Sequence, residues 1–206
     1  MDNIKAFVKN SINKDYTALS YAISIHNDLV VSDAIGVIDK KNNEVITEDC
    51  TFNVASISKI YVTVAIMQLV EQGKIKLDDY VADLLPRFYM PDERYKKITV
   101  EMCLNHTSGL PGTEWKHFST KEIDGVDYYD EVYHYFSVNK LKADPGEYAV
   151  YCNDGFTVAE LIVSEVSGLA YEEYVKKYIT EPIGADSTRL SGSLNSDYPL
   201  VTEGDK

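Results

Sequence analysis

The sequence predicts an α/β (α+β) protein in which a small antiparallel sheet with flanking helices is joined to an all-helical part. Two observations carry this. Between Tyr21 and Ile46 apolar and polar residues alternate around turn-forming dipeptides, and from Ile60 onward apolar residues recur at helical spacing in runs closed by Gly73, Pro86, Gly168 and Pro182. The expected organisation is residues 1–60 as N-terminal helix and sheet strands leading to a candidate nucleophile, 61–190 as the mainly helical part, and 191–206 as a polar tail.

In order, Asp2 can cap a short helix whose Ile4, Phe7, Val8 and Ile12 share a stripe. Tyr21, Ile23 and Ile25 alternate with Ala22, Ser24 and His26 in a strand. Asn27-Asp28 is expected to turn the chain into a return strand over 29–38, and residues 40–43 into a third piece at Val45 and Ile46. From Ile60 to Val70 only Thr63 and Gln68 interrupt the apolar residues, so the helix there is expected to be buried all round and to stop at Gly73. A short helix capped near Asp78 or Asp79 should end at Pro86, and another over 98–104 should be capped by Thr99. Residues 113–141 read as short helices and loop. Thr157 and Glu160 suggest a capping box for a helix stopped by Gly168, and a further helix through Tyr174, Val175, Tyr178 and Ile179 ends before Pro182.

A net charge of -13 over 206 residues argues against nucleic acid and anionic membranes as partners. No basic-then-apolar leader opens the sequence and no apolar run is long enough to span a bilayer, so a cytoplasmic protein is expected. Cys50, Cys103 and Cys152 are odd in number and far apart, which suggests neither a disulfide framework nor a metal site; no cofactor is expected.

Candidate chemistry begins with Ser56 and Lys59, one helical turn apart at the start of the apolar helix. Backbone N–H groups at a helix N-terminus would favour an oxyanion there, and an amine at the base of an apolar helix would be a plausible proton acceptor when neutral. The S-x-x-K spacing is not specific, because Ser11 to Lys14 and Ser137 to Lys140 repeat it without a buried helix behind them. Ser56 as a helix N-cap with Lys59 reaching to solvent is the competing reading. His106, in the turn cluster 105–112, is expected to bond backbone groups rather than act as a base. Tyr151 and Asn153 would face one side of an extended segment and Cys152 the other, so Tyr151 could shuttle a proton and Asn153 hold an ammonium or a substrate carbonyl.

These stretches resemble a known family, the serine β-lactamases of class C with the related D-alanyl-D-alanine carboxypeptidases, D-amino-acid peptidases and family VIII esterases, in its N-terminal portion. FNVASISK (52–59) is similar to F-x-x-A-S-x-S-K, LVEQGKIKLDD (69–79) to L-v-e-x-G-k-x-x-L-D-D, and residues 98–111 to I-T-x-x-x-L-x-H-T-S-G-L-P. Leu84-Leu85-Pro86, Pro145-Gly146 with Tyr151-Cys152-Asn153, and Gly168 with residues 174–184 follow in the family's order. The resemblance implies a β-lactamase/transpeptidase-like fold and an acyl-enzyme hydrolase of amide, β-lactam or ester carbonyls. It implies Ser56 as nucleophile, Lys59 and Tyr151 as the proton-handling pair, and Asn153 as the residue orienting Lys59 and substrate. The substrate would be a small molecule or a D-amino-acid peptide, and with no leader sequence an esterase or D-peptide hydrolase is favoured. A non-catalytic or truncated penicillin-recognising module is the alternative. Cys152 and Ala185-Asp186 depart from the family's pattern, and no K-T-G-like tripeptide occurs in the 206 residues. The chain is therefore expected to need a further segment or a partner to complete its sheet. Alone it should lack the second oxyanion donor, at a loss of roughly 10²–10³ in rate, and expose an apolar sheet edge that invites self-association.

Overall fold

The computed structural model describes residues 2–11, 18–39, 43–113 and 128–189. These divide into two compact units, one ending at Val54 and the other beginning at Ala55, so Ser56, Lys59 and Tyr151 all belong to the second. Ile12, Lys14, residues 40–42 of the second turn, 114–127 and the tail 191–206 lie outside the described residues.

In the first unit, α1 (Asp2–Ser11) precedes an antiparallel sheet of β1 (Ala18–Ile25), β2 (Asp28–Asp39) and β3 (Glu44–Val45), in the order β1-β2-β3. Register places Tyr21 opposite Asp33 and Ile23 opposite Val31; a slip of one residue would turn every apolar side chain to the other face. The hairpin turns at His26-Asn27, one residue earlier than expected, because both take positive φ (50° and 69°) and Asp28 already pairs with Ile25. Two left-handed residues match the twist of the flanking strands. Ile38, Ile46 and Cys50 form a small buried centre, with Ala18 and Ala34 packed on it.

The second unit is built around α6 (Asn153–Ser167), which packs on α2 (Ser58–Glu71), α3 (Val81–Leu84), α4 (Val100–Leu104) and α7 (Tyr171–Val175). Val62, Ala65, Ile66 and Leu69 of α2 share one core with Val158, Leu161 and Ile162 of α6. The expectation that α2 is buried all round is corrected: Ile57, Ile60, Val64 and Met67 follow at spacings of three and four and are exposed by 58%, 62%, 38% and 44%. An unbroken apolar pattern does not say which face will be covered, and here the face against α6 is. Gly73 (φ 68°) closes α2 as expected, with the Lys74 N–H bonded back to the Leu69 carbonyl at 3.0 Å.

Two further caps differ from expectation. Tyr80 is the N-cap of α3, without a side-chain bond, while the Asp79 carboxylate accepts the Lys76 N–H at 2.7 Å and closes the turn before it. Thr157 and Glu160 do not start α6, which begins at Asn153. Thr157 bonds back to the Asn153 carbonyl at 3.5 Å, and Glu160 lies mid-helix, accepting from the Tyr129 hydroxyl at 3.4 Å. Thr99 does cap α4, accepting the Met102 N–H at 3.3 Å. The tyrosine-rich stretch contains an eleven-residue helix, α5 (Tyr128–Val138), and its Ser137 hydroxyl donates to the His134 carbonyl. α7 runs on through a π turn (Lys176–Thr180) into a 3₁₀ turn (Glu181–Ile183) that holds Pro182.

The turn cluster 105–113 is laced to residues 142–154 by backbone bonds: Lys142 N–H to the Gly109 carbonyl (2.9 Å), Gly146 to Thr107 (2.8 Å), Val150 to His106 (3.0 Å) and Asp154 to Gly112 (3.0 Å). Arg94 ties the same ribbon to a 3₁₀ turn (Glu93–Lys97), pairing with Asp92 and Asp144 at 2.6 Å each. This ribbon carries Tyr151.

Candidate active site

Ser56 lies in a 3₁₀ turn (Ala55–Ile57) immediately before α2, after Ala55, which has φ 45°. A left-handed alanine is unfavourable, and such strain persists only where the surroundings hold it. The N-cap of α2 is Ile57, with no side-chain cap bond, so Ser56 is not a capping serine. Its Oγ lies 2.6 Å from the Tyr151 hydroxyl, across 95 residues of sequence, and accepts from Lys59 Nζ at 3.2 Å. Both Ser56 and Tyr151 are exposed and Lys59 is half-buried.

Lys59 Nζ also stands 4.9 Å from the Tyr151 ring centroid and 5.4 Å from that of Phe156 on α6. Two aromatic faces attract an ammonium. The Tyr151 phenol is lowered below its ordinary value, first by its interaction with Lys59 and then by the bond to Ser56, against some opposing desolvation. A positive charge on Lys59 beside the phenol thus favours the phenolate.

Asn153 is placed differently. It opens α6, its Nδ2 donates to Thr113 Oγ1 at 3.0 Å, and its buried Oδ1 has no hydrogen-bond partner among the described residues. No hydrogen bond joins it to Lys59 there. The structure thus brings together Ser56, Lys59 and Tyr151, and bonds Asn153 to Thr113 instead. Cys152 faces inward, 1% exposed, opposite to Tyr151. His106 bonds backbone as expected, its Nδ1 accepting the Cys152 N–H at 3.1 Å, and its ring lies 4.7 Å from that of Tyr151. Phe156 and Asp154 carry no motif that singles them out in the sequence. The buried Asp154 carboxylate accepts from the Gly112 N–H (2.8 Å) and the Tyr135 hydroxyl (3.1 Å), which locks the ribbon to α6. Their only sequence signal is their place in the first turn after Asn153.

A small antiparallel sheet, a helical unit, and a serine and lysine one turn apart facing a distant tyrosine define the class of serine–lysine–tyrosine proteins. Residues 2–204 match the family model described as Beta-lactamase, and the chain belongs to that family. It is 31% identical over 177 residues to the putative penicillin-binding protein PbpX of Bacillus subtilis (strain 168), covering 85% of this chain and 42% of that protein. It is 27% identical over 146 residues to the D-alanyl-D-alanine-carboxypeptidase/endopeptidase AmpH of Escherichia coli (strain K12), covering 70% and 38%. Among solved structures, the octameric penicillin-binding protein homologue from Pyrococcus abyssi matches with a TM-score of 0.80 at 24% identity, over 97% of this chain and 47% of that one. The fold is therefore β-lactamase/transpeptidase-like, and the chain spans less than half the length of these curated relatives. Among the described residues no helix is long and apolar enough to cross a membrane.

Proposed function

We propose that this protein is a serine hydrolase that forms an acyl-enzyme on Ser56 with an amide, β-lactam or ester carbonyl, its substrate a small molecule or a D-amino-acid peptide. The observation that carries the reading is the 2.6 Å contact between Ser56 Oγ and the Tyr151 hydroxyl, with Lys59 Nζ at 3.2 Å from the same oxygen. Tyr151 as phenolate takes the Ser56 proton while Oγ bonds to the carbonyl carbon. The phenol then returns that proton to the leaving nitrogen or oxygen as the scissile bond breaks. Water, deprotonated by the same phenolate, attacks the ester carbonyl, and the phenol returns that proton to Ser56 Oγ as the acyl C–Oγ bond breaks, freeing Ser56. Lys59 holds the charge on the phenolate throughout, and Asn153, as the family resemblance implies, orients the substrate. The names of the relatives, penicillin-binding protein and D-alanyl-D-alanine carboxypeptidase, support the choice of substrate class.

The test is covalent labelling by a fluorescent penicillin, with peptide mapping of the adduct, beside turnover of a chromogenic β-lactam, a p-nitrophenyl ester and a D-Ala-D-Ala peptide. The expected result is an adduct on Ser56 that Ser56→Ala abolishes. Turnover that survives the substitution would remove Ser56 from the mechanism, and an adduct never released would support a penicillin-recognising module instead of a hydrolase.

A further inference from the structure

His106 touches the chain on both sides of Tyr151 as well as Tyr151 itself. Its carbonyl accepts the Val150 N–H at 3.0 Å, its Nδ1 accepts the Cys152 N–H at 3.1 Å, and its ring is tilted 36° against the tyrosine ring at 4.7 Å. The ring also packs at 5.3 Å on Phe156, the aromatic face beneath Lys59. The residue does this from φ 66°, a left-handed conformation, uncommon outside glycine, in which histidine and asparagine are both enriched. A left-handed backbone, two backbone bonds and a ring contact all converge on one neighbour.

The chemistry of the imidazole adds a condition. A backbone N–H can only donate, so Nδ1 must be the unprotonated nitrogen and the neutral ring must carry its proton on Nε2. An imidazolium would point an N–H at the Cys152 N–H and break the bond. The charged and titratable groups facing His106 are Lys59 from α2, Lys142 from the ribbon, and Tyr151 and Cys152 themselves. Burial disfavours the charged ring first, and the two lysine ammonium groups add to this.

We propose that His106 is the positioning residue of Tyr151, holding the phenol against Ser56 only while its Nδ1 is unprotonated. This rests on the reading of Tyr151 as the base. His106 touches neither Ser56 nor a substrate in this scheme; it fixes the backbone from which the phenol reaches the nucleophile.

Wild type, His106→Ala and His106→Asn are to be compared in two measurements: amide exchange of Cys152 in the unliganded protein, and the rate of penicillin acylation of Ser56 from pH 5 to pH 9. In His106→Ala the Cys152 amide should exchange at least about tenfold faster and acylation should slow by roughly 10–100-fold, the scale of a misplaced catalytic group. In His106→Asn the side-chain oxygen can accept the same N–H without titrating, so protection and most of the rate should return. The steeper fall in wild-type rate below the ordinary imidazole range should vanish with it. A merely structural histidine would alter melting temperature without removing that fall. Labelling of Ser56 that is indifferent to His106→Ala, or a steeper fall that persists in His106→Asn beyond the limb due to the Tyr151 phenol, overturns this inference alone. No labelling of Ser56 in wild type overturns both it and the reading beneath it. Should His106→Ala not fold, the pH profile of His106→Asn decides.

Discussion

Gly155→Ala is the substitution whose effect follows most directly from distances. Gly155 sits in the first turn of α6, where a Cβ would stand 2.7 Å from the Cys103 carbonyl oxygen and 3.2 Å from its Cα, both backbone atoms of α4. The oxygen would have to recede by about 0.7 Å to regain ordinary contact, and helix backbone cannot swing aside as a long side chain can. Overpacking of this kind costs ~1–3 kcal/mol, while replacing glycine in a helix interior regains ~0.5–1 kcal/mol. The net expectation is a loss of ~1–2 kcal/mol, seen as a fall in melting temperature of roughly 2–4 °C per kcal/mol for a chain of this size. α4 leads directly into His106 and α6 directly out of Tyr151, so acylation of Ser56 should slow as well. Gly168→Ala is the control: its φ of 72° makes alanine unfavourable, but no atom lies within 4 Å, so stability should drop while acylation holds. Thermal unfolding by circular dichroism and fluorescent-penicillin labelling on the three proteins measure both effects. A Gly155→Ala protein as stable as wild type, with unchanged labelling, would show that α4 and α6 are not held in contact there.

Tyr151→Phe should reduce acylation of Ser56 by roughly 10²–10⁴-fold, the usual range for a lost general base, while the melting temperature barely moves because the ring remains. Since the phenol titrates below its ordinary value, the acylation rate should rise with pH and level off before pH 10, and Lys59→Met should move that plateau upward; an unmoved plateau would detach Lys59 from the phenol. Asp92, held down to about 2 by the Arg94 guanidinium, favours the fold above the ordinary carboxylate value, and that stabilisation is lost as pH falls through about 2. Arg94→Ala should therefore bring acid unfolding to a higher pH. Glu160, pushed up to about 7 by burial, works in the opposite sense: its carboxyl favours the fold when protonated, so stability should fall between about 4.5 and 7, by at most roughly 3 kcal/mol. Urea unfolding at pH 5 and pH 8 should show Glu160→Gln gaining on wild type at the higher pH, and equal differences at both would refute it.

What was legible in the sequence was local. Ser56 and Lys59 are three residues apart at the head of a helix whose periodicity and Gly73 stop are visible in the residues, and Thr99 and Gly168 act as cap and stop in the way their types predict. Tyr151 is 95 residues away from Ser56, and no periodicity connects them; only the ordered motifs of a family suggested the pair. The capping-box pattern at Thr157 misled because the same spacing occurs inside a helix, whereas the true N-cap, Cys152, has a side chain that gives no capping signal. The apolar run of α2 concealed the face that is exposed at Ile60, Val64 and Met67. His106 bonds backbone, as a histidine in a turn is expected to. Which backbone it bonds depends on how two distant turns are laced together, and sequence spacing carries no term for that.

The proposed division of roles between Lys59 and Tyr151 rests on their surroundings, where residue types leave the chemistry open. Residue types alone allow the lysine to be the neutral acceptor of the serine proton. In the structure the amine donates to Ser56 Oγ at 3.2 Å and stands 4.9 Å and 5.4 Å from the ring centroids of Tyr151 and Phe156. The phenol stands 2.6 Å from the same Oγ with that charge beside it, and its proton is the one held more loosely than usual. In the proposed mechanism one positive charge lowers the phenol and leaves it as the acceptor, provided the phenol is kept in place, which is the part proposed for His106 through the backbone on either side of it.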